Sequence, residues 1–303
     1  MTQLKKFRFG SMKTRTQEAV TGWLFSVPAL IGVGIFMIIP FCMSVVFSFT
    51  NKMLVQRPND PLNFVFLDNY IKLFTNDLAH KAFLNTLLYA LMVVPTTILL
   101  GTLLAVFVNN SLRGVKLFRT IYFSPQVVTM TVVAVVWSFI FSSSESGLMN
   151  SVLKFFGLEA QRWLQDTHWA LFCIAIMYIW QSLGLQMLIV LGGLQYIPED
   201  LYEAAYLDGC NSFQKFWRIT VPMLKNTLVY VLISTTINTL KLFTQVYVLT
   251  NGGPQDATTS VVYLLYKAGF INQQVGYSSA IAVVFFIIVF CISEIQNHVI
   301  GKE

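Results

Sequence analysis

Long stretches without a charged residue constrain this chain more than any other feature. Five of them, each holding at least 25 residues, lie between Glu18 and Lys52, Lys81 and Arg113, Arg119 and Glu145, Asp166 and Glu199, and Lys267 and Glu294. A sixth stretch, from Lys225 to Asp256, is interrupted only by Lys241. Because roughly 20 apolar residues suffice for a helix to cross the hydrocarbon core of a bilayer, the sequence predicts six transmembrane helices.

The six predicted spans cover about residues 22–49, 84–108, 120–142, 169–191, 223–249 and 275–297. Their apolar runs are continuous, whereas the strands of a membrane barrel would alternate. Only 11% of the residues are charged, against about 25% in a typical soluble domain. We therefore expect an all-α polytopic membrane protein, with residues 1–21 as an N-terminal tail and residues 22–303 as one transmembrane domain.

Lysine and arginine residues are distributed unequally between the two sides of these spans. Twelve lie in the N-terminal tail, around the segments after the second and fourth spans, and at the C-terminus; seven lie in the other loops, and Lys241 lies in the fifth span. Because basic residues favour the cytoplasmic side, the sequence predicts that both termini are cytoplasmic. This topology accounts for the excess of basic residues that gives the chain its net charge of +6. We therefore expect no nucleic-acid partner.

The sequence lacks the common motifs of an enzyme or a metal site. It has no phosphate-binding loop of the G-x-x-x-x-G-K-[ST] type, no H-E-x-x-H helix and no G-x-S-x-G turn. Its three histidines are far apart, and its four cysteines are dispersed with no C-x-x-C spacing. We therefore expect no catalytic residue, metal site or cofactor in this chain.

Residues 197–222, between the fourth and fifth predicted spans, have the pattern of a short helix followed by a turn. Pro198 suits the first helical position, and Gly209 can adopt the left-handed conformation that ends a helix. Pro222 then restarts a helix at the beginning of the fifth span. One face of the short helix carries Leu201, Ala204, Ala205 and Asp208, which form a low-relief surface that another protein could approach closely.

This segment resembles the EAA loop of the permease subunits of binding-protein-dependent ABC importers. The residues that match the motif are Glu203, Ala204, Ala205, Gly209, Ile219 and Pro222. Val221 departs from the usual pattern, in which leucine is commoner. The resemblance implies the type I importer permease fold, in which the EAA helix lies in the cytoplasm between the fourth and fifth spans and couples the permease to an ATPase.

Other motifs are similar to those of the carbohydrate branch of this family, which includes the larger permease subunits of maltose, glycerol-phosphate and oligosaccharide importers. They are Leu67-Asp68-Asn69-Tyr70, Asn85-Thr86, and Leu249-Thr250-Asn251-Gly252-Gly253-Pro254 followed by Thr258-Thr259. The last of these, placed after the fifth span, favours a sugar importer over an amino-acid, peptide or phosphate importer, which remains the alternative.

The resemblance also implies the partners of the chain. They are two ATP-hydrolysing subunits that hold ATP and Mg, a second homologous permease, an external solute-binding protein and a sugar, within the lipid of a prokaryotic inner membrane. It implies that Glu203 makes an ionic contact with a basic ATPase residue, that Ala204 and Ala205 fit closely against the ATPase, and that Gly209 forms the turn.

An ion-coupled secondary transporter is the alternative from a different class. Such a protein would usually carry carboxylates within its spans or show inverted repeats. Of the 14 aspartate and glutamate residues, 13 lie outside the predicted spans, and Glu294 lies near the end of the sixth, which argues against it.

Polar residues of the fifth and fourth spans are candidates for the sugar path. Those at i, i+3, i+4 and i+7 of the fifth span form one helical face, namely Thr235, Asn238, Thr239 and Leu242. Gln181 and Ser182 of the fourth span could line the same cavity. Such groups suit sugar hydroxyls, but they serve equally to hold membrane helices together. Lys241 could either reach the outer interface or contact an anionic sugar.

Overall fold

The computed structural model describes residues 14–56, 61–109 and 114–301. In these ranges the chain is helical, and its only β-type pairing is an isolated bridge between Thr50 and Phe64. The helices long and apolar enough to cross a membrane are Glu18–Phe47, Asp77–Val108, Ala170–Leu194, Lys225–Leu249 and Val275–Val299. A further span is present if a bent pair of helices is counted as one. The chain is therefore an all-α, multi-pass membrane protein, as predicted.

We number the α-helices of the described ranges in chain order. They are α1 (Thr14–Val33), α2 (Ile39–Phe47), α3 (Asp68–Thr75), α4 (Asp77–Val108), α5 (Val115–Val127), α6 (Met130–Ile140), α7 (Leu148–Phe155), α8 (Ala170–Leu194), α9 (Glu199–Leu207), α10 (Ser212–Lys215), α11 (Val221–Met223), α12 (Lys225–Leu240), α13 (Thr244–Leu249), α14 (Val261–Tyr266) and α15 (Val275–Gly301). Shorter elements are the π-helical segments Gly34–Ile38, Phe216–Thr220 and Lys267–Ile271 and the 3₁₀ turn Trp163–Gln165.

The first span lies at the periphery of the molecule. None of its most apolar window is buried within the chain, and the Phe36 side chain is 79% exposed. The span packs along α15, where the rings of Phe41 and Phe286 are 4.8 Å apart. Helix α1 already begins at Thr14, within the segment predicted as a tail, and residues 1–13 lie outside the described ranges.

Helix α8 lies at the centre of the molecule, between α4, α5 and α12. Small residues allow close contact between these helices. A Cβ atom at Gly101 of α4 would lie 3.0 Å from the Cβ of Gln186, and one at Gly193 of α8 would lie 2.5 Å from the Thr227 hydroxyl. The most buried apolar side chains of this region include Met187 and Leu224, both 0% exposed. Helix α8 and its neighbours therefore form a tightly packed core.

The third predicted span is bent, which corrects the expectation of one helix over residues 120–142. Helices α5 and α6 meet at an angle of 98°, and Val128 and Thr129 between them are extended. Pro125 lies in the last turn of α5 and lacks the backbone N–H that would continue a regular helix. The Val128 carbonyl accepts a hydrogen bond of 2.9 Å from Gln181 Nε2 of α8. A proline and a partner from another helix thus produce and stabilise the bend.

The fifth predicted span is broken near its C-terminal end. The span Lys225–Leu249 matches the predicted residues 223–249, but its helix is interrupted, because α12 ends at Leu240 and α13 begins at Thr244. The Ser260 hydroxyl, at the start of α14, donates a hydrogen bond to the Leu242 carbonyl. This contact satisfies a backbone group that the interrupted helix leaves free.

The second large loop, predicted over about residues 143–168, is organised by Asn150 of α7. This side chain is 1% exposed, and its Nδ2 donates to the carbonyls of Ser144 and Gln161 at 3.0 and 3.1 Å. Its Oδ1 accepts from the Trp163 indole at 2.8 Å. Because one amide satisfies several backbone groups of the loop, the loop is an ordered part of the structure.

Two motifs of the carbohydrate branch hold loops at the same end of the molecule. Asn69 Nδ2 donates to the carbonyls of Ser48 and Thr50, both at 2.9 Å, just after α2. Asn85 Nδ2 of α4 donates to the carbonyls of Asp256 and Thr259 at 2.9 and 3.1 Å. These asparagines therefore attach the loop after α2 and the loop after α13 to helices α3 and α4.

Candidate functional site

The segment with the EAA pattern contains the predicted short helix, α9. The helix begins at Glu199, one residue later than predicted, because Pro198 is extended and occupies the position before the helix. At its end, the Cys210 N–H donates to the Ala205 carbonyl at 2.9 Å and the Gly209 N–H donates to the Tyr206 carbonyl at 3.0 Å. With Gly209 at a φ of 76°, this is a Schellman turn. Glycine is therefore required at this position for its backbone conformation.

Helix α9 is attached to the base of the membrane core on one side. Ala205 is 7% exposed, and Ile197, just before the helix, is also 7% exposed within the cluster that contains Leu224. The Tyr202 hydroxyl is 2.9 Å from the hydroxyl of Thr220, in the segment that leads to α12. These contacts join α9 to the start of the fifth span.

The other side of α9 is open to solvent in this chain. Glu203 and Ala204 are exposed, whereas Ala205 points inward, so the expectation that Ala204 and Ala205 share one accessible face is not met. Next to the helix lies an open pocket with a volume of about 570 Å³. It is lined by Glu199, Tyr202, Glu203, Tyr206, Leu207 and Lys215. The Lys215 ammonium lies 5.7 Å from the centre of the Tyr206 ring.

The remaining motif residues lie in the return to the fifth span. Ile219 is half-buried in the π-helical segment Phe216–Thr220. Pro222 is exposed in the first turn of α11. Proline has no backbone N–H, and at the start of a helix this absence costs no helical hydrogen bond. The segment around α9, the Schellman turn and Pro222 therefore forms one connected unit, which we call the EAA segment, residues 197–222.

The predicted sugar-path residues of the fifth span do not share one surface. Thr235 and Thr239 are each 1% exposed, and Asn238 is exposed. Leu242 is 1% exposed, and it lies in the break after α12, packed in an apolar cluster with Tyr89. The helical face proposed from the i, i+3, i+4, i+7 spacing therefore ends before Leu242, because the helix itself ends at Leu240.

Gln181 and Ser182 of the fourth span make contacts within the protein. Both are buried, and the Ser182 hydroxyl donates to the Tyr178 carbonyl of its own helix at 2.8 Å. Gln181 holds the bend of the third span through Nε2, while its Oε1 and the Thr235 hydroxyl are buried without a hydrogen-bond partner in the described ranges. Such groups are costly inside a membrane unless a partner satisfies them.

An aromatic group beside the break in the fifth span was missed by the sequence reasoning. The rings of Phe243 and Tyr247 are stacked at 5.6 Å, and Tyr266 of α14 lies 5.3 Å from Phe243 and 5.6 Å from Tyr247. Phe270 stacks on Tyr266 at 5.6 Å and is 62% exposed. The low hydropathy of this span and the charge in its interior, Lys241, were the available signals that it differs from the others.

The family model for the inner membrane component of binding-protein-dependent transport systems matches residues 79–301. The chain belongs to this family. The match begins in α4 and includes the EAA segment and all later helices. The chain is therefore a permease of an ABC importer, a membrane subunit that works with a solute-binding protein.

Several curated relatives match nearly the whole chain. A trehalose/maltose transport system permease from Thermococcus litoralis is 34% identical over 91% of this chain and 92% of its own length. An arabinooligosaccharide transport system permease from Bacillus subtilis is 32% identical over 92% and 88%. A lactose transport system permease from Rhizobium radiobacter is 32% identical over 92% and 93%. The similarity therefore extends well beyond the range of the family model.

The fold is also that of a solved ABC importer. A chain of a bacterial alginate ABC transporter, crystallised with an alginate-bound periplasmic protein, superposes with a TM-score of 0.81 over 93% of this chain and 94% of its own. Its sequence is 21% identical, so the likeness concerns the fold. The predicted importer permease fold is confirmed.

Proposed function

We propose that this chain forms, with a second homologous permease, the membrane path of an ATP-driven sugar importer. The substrate is a sugar or oligosaccharide that an external solute-binding protein delivers. Support comes from relatives named as permeases for trehalose and maltose, arabinooligosaccharides and lactose, each matched over most of its length. The sugar-branch motif of residues 249–259 lies in the loop that Asn85 holds.

The observation that carries the proposal is the placement of α9, which is fixed to the permease on one side and exposed on the other. Two separate ATPase subunits, which bind ATP and Mg, dock on the exposed side. Their closure on ATP moves α9, and the contact between Tyr202 and Thr220 passes this movement to the fifth span. In physical terms the ATPase pair is the two-state element that biases the membrane helices.

Each residue of the motif has a part in this docking. The exposed Glu203 carboxylate makes an ionic contact with a basic ATPase residue, and Ala204 allows close approach because its side chain is small. Ala205 anchors α9 to the permease. Gly209 turns the chain, while Ile219 and Pro222 shape its return to the membrane.

The orientation follows from the same reasoning. ATP-hydrolysing subunits lie in the cytoplasm of a prokaryotic cell, so the EAA segment faces the cytoplasm and the loops held by Asn69, Asn85 and Asn150 face outward. The excess of lysine and arginine on the EAA side agrees with this arrangement. Both termini then lie in the cytoplasm, and the chain resides in the inner membrane.

Substitutions in α9 and its turn test the coupling role. Gly209→Asp places a side chain at a φ of 76°, which costs about 1–2 kcal/mol, and adds a charge at the docking surface. Glu203→Lys reverses the ionic contact. We expect both variants to insert into the membrane normally but to lose ATPase recruitment and transport, measured by co-purification and by uptake into proteoliposomes.

Gly157→Asp is the matched control for Gly209→Asp. Gly157 has a φ of 73° and, as at Gly209, a Cβ atom added there would have no neighbouring atom within 4 Å, but Gly157 lies in the loop after α7. The control carries the same backbone strain and should retain ATPase recruitment. Normal substrate-stimulated ATP hydrolysis in both Gly209→Asp and Glu203→Lys would refute the coupling role.

A further inference from the structure

The break in the fifth span places non-helical backbone, residues 241–243, at membrane depth. Counted along α12 from Lys225, Lys241 lies about 24 Å into a hydrocarbon core about 30 Å thick. In such a core, irregular backbone is tolerated only where it is buried in protein or lines a water-filled cavity. Interrupted helices of this kind are a recurrent feature of substrate sites in transporters.

The two sides of this break differ sharply. On the inner side, Leu242 is 1% exposed and its carbonyl accepts a hydrogen bond from Ser260. On the other side, the Lys241 side chain is exposed and forms no hydrogen bond or ion pair with any residue in the described ranges. Asn238, three residues earlier and also exposed, lies beside Lys241 at the end of the helix. One side of the break thus presents an amide and an ammonium group.

Lipid does not suit the two polar side chains beside this break. By the same count, only about 6 Å of the core lies beyond Lys241, and its long side chain can cross that distance. The Asn238 side chain is shorter and lies about 10 Å inside the core, so it cannot reach the outer interface. Water that reaches the break from the sugar path would solvate both groups.

We propose that Lys241 lies in the sugar path and binds an anionic group of the substrate, while Asn238 beside it binds sugar hydroxyls. The inference rests on the proposed function as a sugar permease and narrows its substrate to an acidic sugar. An ammonium group presents three hydrogen-bond donors and a fixed positive charge, so it attracts a carboxylate, sulfate or phosphate and repels cations.

A pocket on the outward side supports the same preference. It has a volume of about 430 Å³, and the polar side chains that line it are Ser138, Ser142, Ser143, Arg162, Gln165 and Thr250. Its described lining includes a guanidinium group and no carboxylate. The pocket also includes Leu249, the last residue of α13, so it lies one short helix away from Lys241. Two cationic groups, Lys241 and Arg162, therefore lie at different depths in the outer half of the permease.

Thiol labelling tests both the water access and the charge preference. Asn238→Cys is prepared in the full transporter complex with Cys42, Cys210 and Cys291 replaced by serine and Cys173 by alanine. Membrane vesicles are treated with anionic sulfonatoethyl methanethiosulfonate or cationic trimethylammonioethyl methanethiosulfonate. We expect Asn238→Cys to react, and we expect Lys241→Gln to reduce the ratio of anionic to cationic labelling rates by about tenfold.

Controls separate this effect from general changes in the complex. Phe36→Cys, on the 79% exposed face of the peripheral first span, should not react, and Lys267→Gln should leave the ratio at Asn238→Cys unchanged. Co-purification of all subunits confirms assembly of each variant. An unreactive Asn238→Cys in an assembled complex, or a ratio that Lys241→Gln does not change, would overturn the inference. Labelling requires no transport, so these results are independent of the coupling variants at Gly209 and Glu203.

Discussion

Substitution of Gly184 in α8 tests whether the bent third span depends on the close packing of α5 against α8. A Cβ atom at this position would lie 2.5 Å from the Tyr122 carbonyl carbon, 2.8 Å from the Phe123 Cα, and closer still to the Tyr122 carbonyl oxygen. These are backbone atoms of α5, which cannot move aside as a flexible side chain can. Gly184→Ala must therefore push α5 away from α8.

The expected cost of Gly184→Ala can be isolated by comparison with Gly192→Ala in the same helix. Both changes gain about 0.5–1 kcal/mol of helix stability, because alanine restricts the backbone more than glycine. Gly192 has no atom within 4 Å of a Cβ position, so Gly192→Ala should be neutral or stabilising. The difference between the two variants is then the overpacking cost, about 1–3 kcal/mol.

The free energy of unfolding of the purified permease, measured by detergent denaturation, tests this expectation. Gly184→Ala should also weaken the bend, because Gln181 lies less than one helical turn away and donates to Val128 there. Transport should therefore fall more in Gly184→Ala than in Gly192→Ala. If the two variants unfold with the same free energy, the close approach of α5 to α8 is not a feature of the folded protein.

Three other predictions concern the outer loop, the sugar path and the topology. Asn150→Ala removes a buried amide that satisfies several loop carbonyls, so it should lower the free energy of unfolding by about 1–3 kcal/mol. It should also make residues 143–168 susceptible to protease, whereas Ser151→Ala at the exposed neighbouring position should do neither. Asn238→Leu should reduce transport per assembled complex, while reduced assembly with normal turnover would reject its role in binding sugar. Reporter domains fused after Gly209 should be cytoplasmic and those fused after Gly157 external, and an external signal at Gly209 would reverse the topology.

The positions of the membrane spans could be predicted from sequence because they depend on local composition. Residues 169–191 were predicted and α8 covers Ala170–Leu194; residues 275–297 were predicted and α15 covers Val275–Gly301. A helix in lipid satisfies its own backbone hydrogen bonds, so an apolar run of sufficient length is enough to specify it. No knowledge of its neighbours is needed for that prediction.

The EAA segment could be predicted in part, for the same reason. The Schellman turn at Gly209 involves hydrogen bonds among residues 205–210, and a local pattern of residues specifies local bonds. The orientation of α9 is different. Whether Ala204 or Ala205 faces outward depends on how Ile197 and Tyr202 pack against the fifth span, and helical periodicity by itself cannot supply that information.

The breaks in the third and fifth spans were beyond local reasoning because distant side chains stabilise them. Hydropathy continues through both, so the sequence predicts a single helix in each case. A helix that opens in the membrane frees backbone carbonyls, and each must find a donor. The Val128 carbonyl finds Gln181, 53 residues later, and the Leu242 carbonyl finds Ser260, 18 residues later. A polar side chain within an apolar span is therefore ambiguous in sequence: Gln181 was predicted as a sugar ligand, and the structure shows that its Nε2 supports a bend in another helix. The distinction lies in which backbone groups the fold leaves unsatisfied, and only the assembled helices determine that.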